Sequence, residues 1–339
     1  EEIITLLDTV KANQHRNDAE ELAVIYETQR KEEQIAEQRA SLAQQKSVTM
    51  GIVFALILVA LVIFMLFRHR AAKHLEVAHE QLKEAYDQLE ETTTIKERIE
   101  SELRIARDIQ MSMVPSTFPE IEGLDMYASM TPAREVGGDL YGYIMNDDKL
   151  YFCVGDVSGK GIPASLFMAQ ATRLFQTLAN QGMMPAEICT RINDALSGKD
   201  NENGMFVTMF VGLLDLQTGH LSFCNAGHNP PIIGGAASHG DFLEMEANAP
   251  IGLWPGLQYE GEEIANVKGR TLFIYTDGLN EAEDSSLQQF GDDRLLAILR
   301  ETDFDSSRQV IETLAAAVER HRNGAEPNDD LTMMCIHVK

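Results

Sequence analysis

Aspartates stand at four places where apolar runs of this chain stop. Asp139 closes Glu135-Val136-Gly137-Gly138-Asp139. Asp156 ends YFCVGD and is followed by Val157-Ser158-Gly159-Lys160-Gly161. Asp277 ends LFIYTD, with Gly278 after it. Asp329 and Asp330 lie in Asn328-Asp329-Asp330-Leu331-Thr332, just before a last apolar run. Apolar strand residues exclude water, and glycine lets backbone and ligand come close. Carboxylates gathered at one end of a core are costly unless cations neutralise them. Oxygen ligands without paired His or Cys suit Mg²⁺ or Mn²⁺ rather than Zn²⁺. Taken singly, an aspartate in a Gly- or Asn-containing stretch of this kind reads as a turn. Taken together, the four positions point to carboxylates that share divalent ions.

The elements that must position them alternate apolar runs with helical stretches over residues 120–339. Residues 151–157, 207–214, 221–225, 271–276 and 332–338 read as strands. Residues 163–181, 185–196 and 306–322 read as helices. This predicts a layered α+β domain around one core. With 339 residues and a 44% hydrophobic share, the chain has room for about two domains and is not wholly disordered. Its 53 acidic against 28 basic side chains give a net charge of −25, which argues against a nucleic-acid binder. Cys153, Cys189, Cys224 and Cys335 form no CxxC pair. That excludes a disulfide scaffold and a Cys-rich zinc site, and fits a reducing compartment. The run GDVSGKG (155–161) imitates a phosphate loop, but its glycine spacing is one residue short and Gly161 follows Lys160 where Ser or Thr is required. Lys160 therefore reads either as a phosphate-attracting side chain or as a plain loop lysine. His228, in a Gly/Asn/Pro turn, reads as structural rather than as a metal ligand.

Residues 50–67 read MGIVFALILVALVIFMLF without a charge. Some 18 helical residues reach about 27 Å, close to the hydrocarbon thickness of a bilayer. Arg68, His69, Arg70 and Lys73 follow at once, which places the C-terminal portion on the cytoplasmic side. Residues 1–49 read as an extracytoplasmic helical segment, the end of a sensor region. Leu22–Gln29 weakly resemble the helix that follows tetratricopeptide repeats in some membrane sensors. Glu1 is not methionine, so the chain is expected to begin inside a longer protein. From 68 to 114 a helical linker carries Leu75, Leu82 and Leu89 at heptad spacing, with Ile99, Leu103, Ala106, Ile109 and Met113 continuing the stripe. Either a parallel dimeric coiled coil or the chain's own C-terminal domain covers it. The β-branched run Thr92-Thr93-Thr94 is expected to weaken the helix, and Pro115 to end it.

The motifs REVGGD (134–139), GDVSGKG (155–161), NAGHNP (225–230), YTDG (275–278) and NDDLT (328–332) resemble, in order and spacing, those of the PPM metal-dependent serine/threonine phosphatases. The resemblance is to the bacterial SpoIIE-like, RsbU-type branch, and ARDIQMSMVP (106–115) resembles the linker end of that branch. It implies an αββα sandwich over residues 115–339 with two Mn²⁺ or Mg²⁺ ions. Asp156 would bridge them. Asp139 and the Val157 carbonyl would serve the second ion, and Asp277 and Asp329 would complete the first. Asp156, Asp277 and Asp329 would then carry catalysis, with Asp330, Ser158 and Lys160 in supporting positions. Relatives often carry an aspartate where this chain has Gly142. The implied activity is hydrolysis of phosphoserine or phosphothreonine, by a metal-bridging hydroxide, on a STAS-type anti-sigma factor antagonist. The expected setting is the bacterial inner membrane, single-pass and homodimeric through the linker, with the phosphatase domain cytoplasmic. A catalytically silent adaptor of the same fold is the alternative.

Overall fold

The structure, a computed structural model, describes residues 2–199, 201–235, 238–246, 248–302 and 304–339. The chain divides into two compact units, Glu1–Thr93 and Thr94–Lys339. One helix, α1 (Glu2–Met111), makes up the described part of the first unit and opens the second. It contains no proline and a single glycine, Gly51, so nothing in it forbids helix. It runs unbroken through Thr92–Thr94, contrary to the weakening expected there. Thr92 and Thr93 turn their hydroxyls back onto the carbonyls of Gln88 and Leu89, each at 2.7 Å, so both side chains are satisfied inside the helix. Every described residue before Thr94 is exposed, including an 18-residue stretch of mean hydropathy 3.1.

Among the described residues, the second unit holds ten strands and four further helices. In chain order these are β1 (Leu124–Thr131), β2 (Leu140–Asn146), β3 (Lys149–Val157), α2 (Ile162–Asn180), α3 (Pro185–Leu196), β4 (Val207–Asp215), β5 (Leu221–Ala226), β6 (Ile232–Gly235), β7 (Ser238–Phe242), β8 (Glu262–Ile264), β9 (Arg270–Tyr275), α4 (Asp292–Glu301), α5 (Ser307–Arg322) and β10 (Leu331–Val338). They form two five-stranded antiparallel sheets, β1-β10-β9-β6-β7 and β2-β3-β4-β5-β8. Helices α2 and α3 cover the second sheet, and α4 and α5 cover the first. Phe152, Leu214 and Leu221 face Ile233, Leu272, Ile336 and Val338 across the interior. The fold is the αββα sandwich that the resemblance implied.

The strands read from sequence appear within a residue or two of their expected bounds. They are the ones buried on both faces, so they read as continuous apolar runs. β1 and β2 escaped that reading. β1 alternates buried and half-exposed residues, with Asp125 and Ser129 on its wetter face. β2 carries Gly142 and ends on half-exposed residues. α4 begins Asp292-Asp293 and buries only Leu295 fully, so its apolar stripe is thin.

Register brings the aspartates to common strand ends. The start of β2 lies opposite the end of β3, Leu140 against Gly155. The end of β9 lies opposite the start of β10, Tyr275 against Met333. Asp139 and Asp156 thus flank one sheet end, and Asp277 with Asp329 and Asp330 flank the other.

Close packing inside this sandwich leaves no room at Gly212. It pairs with Phe152 in the β3–β4 register, and a Cβ there would overlap the Phe152 ring. Gly212→Ala should cost about 1–3 kcal/mol, the usual cost of overpacking a core. Urea unfolding followed by fluorescence checks it. An unchanged midpoint would mean that the ring has space to move.

Candidate metal centre

Each aspartate reaches the site from a strand end or the turn beside it. Asp139 precedes β2 and is 2% exposed. Its Oδ2 accepts a hydrogen bond from Thr276 Oγ1 of the other sheet at 2.8 Å. Burial, and then the charges of Asp156 and Asp330, hold its pKa well above the usual carboxylate range, against hydrogen bonds from Thr332 and Thr276. Asp156, opposite Thr208 in the β3–β4 register, is pushed up to about 7. Burial is the largest cause. The charges of Asp277, Asp329 and Asp330 add to it, and a hydrogen bond with Asp139 opposes it. Asp277 is raised to about 6, by burial first and then by Asp329 and Glu281.

Asp329 meets a cation. Lys160 Nζ lies 2.8 Å from its Oδ2 and also donates to the carbonyl of Asn328. Asp330 does something else. Its carboxylate accepts the backbone N–H of Ala133 and of Gly138, both at 2.7 Å. A carboxylate engaged in this way braces the 133–138 loop against the start of β10. The glycines around it are required by space. A Cβ at Gly137 would strike the Asp330 carboxylate, and one at Gly278 would strike the Asp330 carbonyl. At Gly138 a Cβ would sit 3.0 Å from the Val157 carbonyl oxygen, so glycine lets the Asp139 loop close on that oxygen.

Asp139, Asp156, Asp277, Asp329 and Asp330 therefore form one electrostatic neighbourhood, with the Val157 carbonyl beside the Asp139 loop. Ser158 is engaged elsewhere. Its N–H donates to the Phe206 carbonyl at 2.8 Å, and its hydroxyl accepts from the Phe206 N–H at 3.0 Å. Lys160 is bound to Asp329 rather than free in its loop. His228 is buried, with Nδ1 3.1 Å from the Thr208 hydroxyl and its backbone tied to the Asn225 amide. Burial lowers its pKa to about 4, so it is neutral at physiological pH. A Cβ at Gly142 would meet Phe175 and Cys153, at 3.4 and 3.6 Å, so an aspartate there would enter an apolar contact with α2. Sequence reasoning missed Thr276 and the bracing role of Asp330. The glycines of GGD and TDG were the available signal, because each marks a close approach.

The donor set fits hard divalent cations. It is all oxygen and crowded, and among the described residues Lys160 is the cation paired with it. Among the described residues no three His, Cys, Asp or Glu side chains already stand close enough to hold an ion. Mutual repulsion of carboxylates and the Lys160–Asp329 pair both act in that direction.

Residues 146–339 match the family model of Stage II sporulation protein E, SpoIIE. The chain belongs to the SpoIIE family. The matched residues include Asp156, Asp277, Asp329 and Asp330 and begin after Asp139. Protein IcfG of a Synechocystis species is 27% identical over 265 residues, which are 70% of this chain but 41% of IcfG. The chain thus spans less than half the length of that relative. The phosphoserine phosphatase RsbU of Bacillus subtilis is 25% identical over 258 residues, 75% of each chain. The solved SiaA-PP2C domain of Pseudomonas aeruginosa covers 72% of this chain and 98% of its own, at 22% identity and a TM-score of 0.62. That last likeness is one of fold.

The raised carboxyl pKa values set a pH dependence. A carboxyl whose folded pKa stands above its unfolded value disfavours folding wherever it is ionised. Between about pH 4 and 7 the ion-free folded domain holds more protons than the unfolded chain, so its stability falls as pH rises. In the presence of a chelator the melting temperature should drop between about pH 5 and 7.5, and added Mn²⁺ should restore it at the higher pH. A chelated protein that melts higher at the upper pH would contradict the carboxylate cluster.

Proposed function

We propose that this chain is a membrane-anchored protein serine/threonine phosphatase that uses two divalent ions. Its substrate would be phosphoserine or phosphothreonine on a small regulatory protein of the STAS type. The observation that carries the reading is the convergence of charge on Asp156, where the carboxylates of Asp277, Asp329 and Asp330 all act. Family membership and the names of relatives such as phosphoserine phosphatase RsbU support it.

In this reading Asp156 would serve both ions. Asp139 and the Val157 carbonyl would hold one of them, and Asp277 with Asp329 the other, with Mg²⁺ and Mn²⁺ both suited to these oxygens. When bound, such ions make water nucleophilic at neutral pH and offset charge growing on phosphoryl oxygens. The remaining work belongs to the chain. Asp139 and Asp156, whose pKa values are raised, must be ionised to act as ligands. Lys160 must leave Asp329, and once free it supplies a positive charge beside the site. Asp330, Thr276 and Ser158 keep the surrounding loops in place through hydrogen bonds. Apolar strand residues such as Val154 and Ile274 keep water out of the sandwich behind the site.

The same reading assigns residues 1–49 to an extracytoplasmic helix, 50–67 to one membrane crossing, 68–114 to a dimeric linker and 115–339 to a cytoplasmic phosphatase domain. The uncharged stretch at 50–67 and the basic residues after it support the crossing, at a bacterial inner membrane. Leu75, Leu82 and Leu89 are exposed in the single chain and repeat every seven residues, which supports pairing with a second copy. A signal passed along that pair would switch the phosphatase.

Two experiments test these statements. Phosphate release from a serine-phosphorylated STAS protein with Mn²⁺ should be clear for the wild type and fall to background for Asp156→Asn. Equal rates would refute the site, and no release by either protein would favour a silent binding module. Replacing Leu82 and Leu89 together by Asp should reduce crosslinked dimer and change the phosphatase rate. If both stay as in the wild type, the linker has no coupling role.

A further inference from the structure

Gln110 is the one buried residue among the described residues of α1, at 4% exposed. A buried amide on an otherwise solvated helix is costly unless its donor and acceptor are both met. Here the backbone of a single residue meets both. Gln110 Nε2 donates to the Gly137 carbonyl at 2.7 Å, and the Gly137 N–H donates to Gln110 Oε1 at 3.1 Å. On its other side Gly137 lies against the Asp330 carboxylate, which fills the space a Cβ would take. Gly138 follows, donates to Asp330 and faces the Val157 carbonyl, and then comes Asp139. The clamp is thus two residues from a buried carboxylate of the site.

The segment after α1 is tied to the same region. Tyr141 Oη donates to the Pro115 carbonyl at 2.6 Å and Tyr143 Oη to the Thr117 carbonyl at 2.8 Å. Both tyrosines lie on β2, directly after Asp139. The Asp277 and Asp329 half of the site hangs instead on β9, β10 and Lys160, and no hydrogen bond from Gln110 reaches it among the described residues.

We propose that Gln110 is a positioning residue for one half of the metal centre. By clamping the Gly137 peptide, it sets how Asp139 stands against the Val157 carbonyl, and it ties that spacing to the last turn of α1. This rests on the assignment of Asp139 and Val157 as ligands in the proposed phosphatase. It adds that the two ions differ in their dependence on the helix.

The test is calorimetry of Mn²⁺ binding to the full chain in detergent, with Gln110→Leu and the closer isostere Gln110→Met, either of which suffices if the other fails to fold. The wild type should bind two ions. In the variants one ion should bind within about twofold of wild type, and the other should weaken roughly 10–100-fold, as when a ligand loses its supporting hydrogen bond. Hydrolysis should return toward the wild-type kcat at high Mn²⁺, with the half-saturating concentration raised. Ser112→Ala, which removes only a hydroxyl bonded to the Ile109 carbonyl in the last turns of α1, should change neither value. Wild-type affinity at both sites, or equal weakening of both, would overturn the proposal. A wild type that binds fewer than two ions would instead sink the ligand assignment itself.

Discussion

Negative charge confined in a poorly solvated place governs this domain. Asp139 is nearly inaccessible, Asp156 and Asp277 are largely enclosed, and burial is the leading cause of the raised pKa of all three. A chain can meet that constraint by protonation, by a bound cation or by its own lysine. This one displays the last of these, since Lys160 sits on Asp329, while burial and neighbouring charge push the carboxyls of Asp139 and Asp156 toward the protonated form. Asp330 is the instructive exception. Backbone N–H groups satisfy its carboxylate, so it serves as a brace between the 133–138 loop and the start of β10.

The antiparallel sandwich makes such crowding attainable. Asp139 and Asp277 are far apart in sequence and belong to different sheets, yet Thr276 donates directly to Asp139. Each sheet brings two strand ends together by register, and the bonds of Asp330 and Thr276 join the sheets. Glycines at 137, 138 and 278 carry the joint because side chains at those places would collide with Asp330 or the Val157 carbonyl.

Much of this was legible in the residues. An aspartate that ends an apolar run, with glycine beside it, marks a strand mouth with little room for a side chain, and that signal located Asp156 after Gly155 and Asp277 before Gly278. Strands buried on both faces announced themselves in the same way. What escaped notice depends on spatial neighbours. β1 hides behind Asp125 and Ser129, which face its wetter side. Gln110 looks like any polar residue of a solvated helix, since only the folded loop supplies the Gly137 peptide. The threonines at 92–94 suggested a break because propensity counts their branching but not the carbonyls their hydroxyls find one turn back.

The central claim is that these scattered aspartates share a pair of divalent ions. Anomalous diffraction at the manganese edge, from crystals grown with Mn²⁺, tests it most directly. Two peaks should appear, one bounded by Asp139, Asp156 and the Val157 carbonyl and the other by Asp156, Asp277 and Asp329. An empty cluster at saturating Mn²⁺, with Lys160 still on Asp329, would contradict the account.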